Sequence, residues 1–376
     1  MEDKKKYHIF IGSKAFFDEQ LPSFSEDYSV ASFLELVKLS DAAKENRRIF
    51  RDHADVLIVK NDNYHGIVEA AHDRLGPLIE ELTTDNAEIF IHNPPRVLRE
   101  FLEDQYKRSL IELDTAHEEY GITRAPEMFV DRINRISSHI FGQQIAIEEI
   151  SKSLWYLTNV KRTKPYVIML YGNSSLGKTE LVREIAKEFF DGKCLEKHLS
   201  MFKNTNYSDY FFGDAPNRRS LGFDLLERES NLVFFDELDK CPEYFFSAFY
   251  TLFDNVQFKD ATYDVDVSGI VIVLTSNYHT EEEMKAQLGL PIYYRIDKFI
   301  HFDDFGSDTI YKIVQNEILS REDEYEGRLT SDMVYAAVSP LVSTSGENAR
   351  TIKYKVQRII EELLFQEVQA EMSNQQ

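Results

Sequence analysis

Cysteine is nearly missing from this 376-residue chain, which holds only Cys194 and Cys241. That rules against a disulfide framework and suits a reducing compartment, so a cytoplasmic location is the expectation. Long apolar runs are missing too. No stretch of about 18 apolar residues occurs, so no membrane span is expected. The opening Met1–Phe10 has too short an apolar stretch for a signal peptide. Positive charge is scarce, with 43 Lys and Arg against 65 Asp and Glu, a formal net charge of −22. Such acidity speaks against non-specific binding to nucleic acid or an anionic membrane, while leaving room for a local basic patch. No internal repeat or low-complexity tract stands out beyond the tail Ser373-Asn374-Gln375-Gln376. What remains is a globular composition, 43% hydrophobic and 29% charged, long enough for two or three domains.

The most informative stretch runs from Pro165 to Thr179. Val167 to Tyr171 is a continuous apolar run, as in a buried parallel strand. It ends in Gly172-Asn173-Ser174-Ser175-Leu176-Gly177-Lys178-Thr179, which fits G-x-x-x-x-G-K-[ST] at every fixed position. Two glycines let the backbone wrap an anion, and the loop amides with the following helix N-terminus donate to phosphate oxygens. In that role Lys178 neutralises the β- and γ-phosphates, the Thr179 hydroxyl holds Mg²⁺, and Glu180 next to them belongs to the nucleotide-binding set. The alternative is a Gly/Ser-rich turn that binds nothing. The strand before it and the amphipathic pattern after it (Leu181, Val182, Ile185, Ala186, Phe189) supply the context that the motif requires.

A second apolar run, Leu232-Val233-Phe234-Phe235, closes in Asp236-Glu237. A buried strand ending in two acids suits Mg-nucleotide chemistry: Asp236 orients the metal's ligands and Glu237 polarises the attacking water. Strands often end in acids, so the position behind a full phosphate loop is what gives the pair weight. A third run, Ile270 to Leu274, ends in Thr275-Ser276-Asn277. Asn277 could help place a lytic water, or it could be a polar turn after a core strand. Phe245 to Phe253 carries aromatics at helical spacing and reads as core.

Residues 1–125 read as a small α/β unit with strands at Tyr7–Ile11, Asp55–Val59 and Glu88–Ile91, and helices around Val30–Leu39, Tyr64–Leu82 and Arg96–Leu113. Strands separated by helices favour a mainly parallel sheet. Asp55, Asp62 and His92 sit near strand ends, where α/β folds bind ligands, but simple solvation explains them better. By elimination, partner recognition is the expected role. The pattern breaks at Gly121–Pro126, which sets a domain boundary at 125/126.

Taken together, these residues resemble the AAA+ ATPases, specifically the Clp-type unfoldases and disaggregases, over about 130–370. Ile140-Phe141-Gly142-Gln143 looks like the family's entry motif, which implies that Ile140 and Phe141 contact adenine. Asp236-Glu237 resembles its Walker B pair and Asn277 its sensor-1 residue. Pro291-Ile292-Tyr293-Tyr294-Arg295-Ile296-Asp297 is similar to the segment that carries the arginine finger, so the resemblance makes Arg295 a group reaching a neighbouring subunit's γ-phosphate. Gly346–Lys353 resembles the sensor-2 motif with a two-residue insertion, making Arg350 the sensor-2 arginine. The implied architecture is an α/β P-loop domain over 126–300, a helical lid over 301–376 and a separate α/β unit before them. The implied activity is Mg-dependent ATP hydrolysis in a homo-oligomeric ring, usually of six, acting on a protein partner.

Two departures stand out. The family's pore-loop aromatic falls on Arg218, followed by Arg219, with Phe223 a substitute if the loop is shifted. Such arginines either line a pore with positive charge, suiting an acidic segment or a phosphate backbone, or are solvated loop charges with nothing threaded. The stretch between Asn277 and Arg295 is short, so docking onto a Clp-type protease is not expected. Two functions follow: a remodeller driven by ATP turnover, or an ATP-gated scaffold that controls a dedicated effector through the first third.

Overall fold

A computed structural model describes residues 4–25, 28–122, 126–203, 207–325, 327–343 and 345–374. Gln375 and Gln376 of the polar tail lie outside the described residues, as do residues 123–125 beside the expected boundary.

Two five-stranded parallel sheets dominate. The first contains β1 (Lys6–Ile11), β2 (Val30–Ser32), β3 (Ala54–Val59), β4 (Thr83–His92) and β5 (Glu112–His117) in the order β2-β3-β4-β1-β5. The second contains β6 (Tyr166–Tyr171), β7 (Leu195–His198), β8 (Leu232–Asp236), β11 (Val271–Thr275) and β12 (Lys298–His301) in the order β12-β6-β11-β8-β7. An antiparallel hairpin of β9 (Gln257–Lys259) and β10 (Asp264–Asp266) precedes β11. Read from the β7 end, the second sheet repeats the strand order of the first.

Parallel strands need crossovers, and right-handed crossovers fix where each helix lies. In the second sheet the connection after β6 runs one way across the sheet and the later ones run back. The helix Lys178–Phe189 therefore packs on one face, through Leu181, Val182, Ile185 and Phe189 against Ile168 and Leu170. Val167 and Met169 alternate onto the other face, where Phe235, Phe245, Phe249 and Phe253 gather. The aromatic run read as core is thus core. Helices Pro126–His139 and Gln144–Asn159 cover the first face, and helices Ser307–Leu319, Ser331–Val338 and Ala349–Asn374 form the C-terminal helical part. Ile352, Val356 and Ile359 of the last helix are buried, whereas Phe365 is 62% exposed.

In the first sheet two strands were not expected. β2 takes the start of what reads as a helix over Val30–Leu39, and β5 begins where the Arg96–Leu113 pattern reads as helical. Both are edge strands: β2 is only three residues long and β5 carries few buried side chains, so neither has a strong apolar signature. The stretch Tyr64–Leu82 is two short 3-10 turns before a helix at Leu75–Leu82, not one helix.

Candidate active site

The C-terminal end of β6 is the point where the second sheet's connections diverge, and open α/β sheets bind ligands there. The loop after it is built for an anion. Gly172 and Gly177 have φ of 131° and 100°, and Ser175, although not a glycine, has φ of 61°. A Cβ on Gly172 would lie 2.5 Å from the Phe302 carbonyl oxygen. Asn173 is tied back by its side-chain amide to Asp304 at 2.7 Å, and Leu176 anchors the loop in the core. Among the described residues, the backbone N–H groups of Ser174 to Gly177 have no hydrogen-bond partner.

Lys178 opens the helix and is buried. Its ammonium donates to the carbonyl oxygens of Gly172 (2.7 Å) and Asn173 (2.6 Å) and approaches Asn277 Oδ1 at 3.4 Å, with no ion pair among the described residues. Burial pushes it down to about 8, against the pull of Asp239 and Asp236. A desolvated cation beside free amides is an arrangement completed by a polyanion.

Opposite stands the end of β8. Thr179 Oγ1 lies 3.4 Å from each oxygen of Asp236, so a hydroxyl and a carboxylate from two elements converge on one point. Among the described residues no group of three His, Cys, Asp or Glu is arranged to hold a metal. Thr179 and Asp236 fit Mg²⁺, which takes one or two protein ligands and completes its shell with phosphate oxygens and water. Glu237 follows with φ of 60°, a costly conformation for a glutamate, and its N–H donates to Thr275 Oγ1 at 2.9 Å. Ser174, Ser175, Gly177, Lys178, Thr179, Glu180, Asp236, Glu237, Asn277 and Arg350 line one cleft of about 450 Å³. Arg350 reaches it because the Ala349 N–H donates to the Ser175 carbonyl at 3.1 Å, which docks the start of the last helix on the phosphate loop.

The family described as AAA domain (Cdc48 subfamily) matches residues 163–325. Over those residues the chain carries an AAA+ module, similar to that of Clp-type proteins. It is 27% identical over 172 residues to a mitochondrial disaggregase of Homo sapiens, covering 42% of this chain and 24% of that protein. It is 22% identical over 317 residues to the chaperone protein ClpB of Mycoplasmoides gallisepticum, covering 74% of this chain and 44% of that protein. A ClpB of Propionibacterium freudenreichii is 23% identical over 278 residues, covering 63% of this chain and 31% of that protein. The chain thus spans less than half the length of these relatives.

Several expected residues of the AAA+ module lie elsewhere. Ile140 is buried in the main core and Phe141 packs against it; neither lines the cleft. Arg295 is also outside it, paired with Asp254. Arg218 pairs with Asp209 at 2.9 Å, while Arg219 stacks 4.7 Å over the Phe223 ring and lies 3.8 Å from Asp224. Phe223 is fully buried, so it cannot substitute as a gripping aromatic. Its helical start is capped by Ser220, which turns the ring inward.

Three contributors escaped the sequence reading. Thr275 donates a hydrogen bond to Asp236, His198 at the end of β7 lies 3.3 Å from the same carboxylate, and Asp239 accepts from the N–H (3.2 Å) and amide (3.4 Å) of Asn277. The Asp239 contact turns Asn277 Oδ1 toward Lys178. Each reaches the site across strands or through a turn, and no local spacing marks it.

The first third meets the module at its own strand ends. Asn61 donates to Glu227 at 2.7 Å, and Asn93 does so at 3.4 Å. Tyr120 donates to the Arg228 carbonyl at 2.6 Å, and the Arg96 guanidinium donates to the Ala261 carbonyl at 2.8 Å. His92 is buried against Phe17 at 4.8 Å between ring centroids, with Glu227 at 3.7 Å. It is a packed interface residue.

Proposed function

We propose that this chain hydrolyses ATP with Mg²⁺ and uses the turnover to remodel a protein partner, working as a ring of identical subunits. The convergence of Lys178, Thr179, Asp236, Glu237, Asn277 and Arg350 on one cleft carries the reading. The loop amides and Lys178 bind the β- and γ-phosphates, and the Asn277 amide and Glu237 carboxylate orient water for in-line attack. Mg²⁺, held by Thr179 and Asp236, supplies charge to the phosphate oxygens. Arg350, on the helical part, senses the nucleotide, and in the assembled ring Arg295 stabilises charge on the neighbour's γ-phosphate. The corresponding division is a partner-facing unit at 1–125, a nucleotide domain at 126–300 and a helical lid at 301–376. Ile140 and Phe141, which pack in the core that also holds Leu176 of the phosphate loop, are the residues assigned to contact adenine in this reading. Steady-state ATP turnover tests the reading: Glu237→Gln lowers it by roughly 10²-fold or more while ATP binding persists. Retained full turnover contradicts it.

A second reading has its own support. Arg218 pairs with Asp209, and Arg219 lies over the buried Phe223 ring, 3.8 Å from an Asp224 that Lys197 also pairs at 2.6 Å, so both arginines are engaged within the subunit. An ATP-gated switch that controls one dedicated partner fits this loop. Nucleic acid is not favoured as the cargo, and docking on a Clp-type protease is not proposed. Pull-down with Glu237→Gln in ATP separates the two: many unfolded clients support the remodeller, one stoichiometric partner the switch.

A further inference from the structure

Arg295 does not dangle from the surface. Its Nε donates to Asp254 Oδ2 at 2.6 Å and its Nη1 to the Pro291 carbonyl at 2.6 Å. The guanidinium carbon lies 4.9 Å from the centroid of the Tyr250 ring. Among the described residues Nη2 has no partner. Tyr250 and Asp254 are four residues apart on the helix Phe246–Asp254 and so share a face. The opposite face is locked into the core by Phe246, Phe249 and Phe253. Below the arginine, the chain turns sharply, with the Arg295 N–H donating to the Ile292 carbonyl at 3.0 Å.

We infer that Asp254 and Tyr250 are positioning residues that hold the Arg295 guanidinium with its Nη2 edge outward, preset to meet the γ-phosphate of ATP held by an adjacent copy of this chain. The inference rests on the reading of Arg295 as a group acting across a subunit interface. A free arginine carries rotamer entropy that must be given up when it engages an anion. Two fixed hydrogen bonds and a stacked ring give up that freedom in advance, and the planar fork still leaves one edge for a phosphate. Lysine has no second edge to anchor, so it cannot take this arrangement. The Asp254–Arg295 pair is partly exposed, with side chains 43% and 28% accessible, so it adds little to stability and its effect lies in orientation.

Full-length Asp254→Asn, Asp254→Glu and Arg295→Ala proteins are compared with the wild type for kcat, KM for ATP, assembly by light scattering and thermal stability. Arg295→Ala is expected to lose about 10³-fold in turnover while still binding ATP. Asp254→Asn is expected to lose roughly tenfold in kcat with KM, assembly and stability unchanged, and Asp254→Glu to recover most of the loss. Wild-type kcat in Asp254→Asn beside an inactive Arg295→Ala overturns the positioning role alone. A raised kcat in Asp254→Asn also overturns it, since Asp254 then restrains the arginine. Full turnover in Arg295→Ala overturns the underlying reading of Arg295 and the inference with it.

Discussion

The two parallel sheets share one strand order and differ in what fills the end of the first strand. In both, the first strand sits between the fourth and fifth, and the chain leaves it through a glycine turn into a helix: Gly12-Ser13 after β1, Gly172–Thr179 after β6. After β6 the amides are free and a desolvated lysine faces them. After β1 the same kind of position is filled by the protein itself. The Ser13 N–H donates to Glu118 Oε2 at 2.6 Å, the Gly12 N–H to Asn93 Oδ1 at 3.0 Å, and Asn93 returns a bond to the Gly12 carbonyl at 2.8 Å. Glu227 and Arg228 of the AAA+ module then close the edge from outside. Equal topology, with a carboxylate already seated in one crevice, gives one binding edge and one docking edge. The first third is therefore read as a unit whose ligand edge has become its contact with the module.

The sharpest way to break the comparison is Lys178→Ala. It should weaken ATP binding by about 3 kcal/mol, roughly 100-fold, as measured by fluorescent-nucleotide titration, whereas Asn93→Ala should leave binding unchanged. Loss of binding in the second variant would give the first sheet a share in the nucleotide site.

Next in size is Glu227→Ala at the docking edge. It strips the acceptor from Asn61 and Asn93, which should cost about 2–3 kcal/mol in denaturant unfolding and split the transition in two as the first third loosens. A single unshifted transition would mean that the docking edge carries no energy.

pH sharpens the contrast at the open edge. Burial lowers Lys178 to about 8, and bound phosphates favour its charged form. Below about pH 7 the lysine is charged with or without nucleotide, so affinity is flat. As pH rises through 8 the free protein loses the proton that the complex keeps, so binding takes up a proton and affinity falls by up to about tenfold per pH unit. Calorimetry in buffers of different ionisation enthalpy measures the uptake; none at pH 8.5 would contradict the burial of this charge. The smallest effect belongs to the rim: Arg99, 2.8 Å from Asp264, should contribute under about 1 kcal/mol when changed to alanine.

What could be read from the chain and what could not follows the range of the interactions. Gly172–Thr179 and Asp236-Glu237 are local spacings attached to long apolar runs, so strand, loop and helix were readable together. The edge strands β2 and β5 pair on one side only and bury little, so their patterns were indistinct. Thr275, His198 and Asp239 act on the site from neighbouring strands and turns, and Glu118 fills its crevice from 105 residues beyond Ser13; such contacts leave no periodicity.

Each chain is expected to hold one nucleotide site, at the end of β6. Equilibrium binding of a slowly hydrolysed ATP analogue with Mg²⁺, measured for stoichiometry on the full chain, tests it most directly. One nucleotide per chain is expected, lost in Lys178→Ala. Two per chain, or one that survives Lys178→Ala, would contradict it.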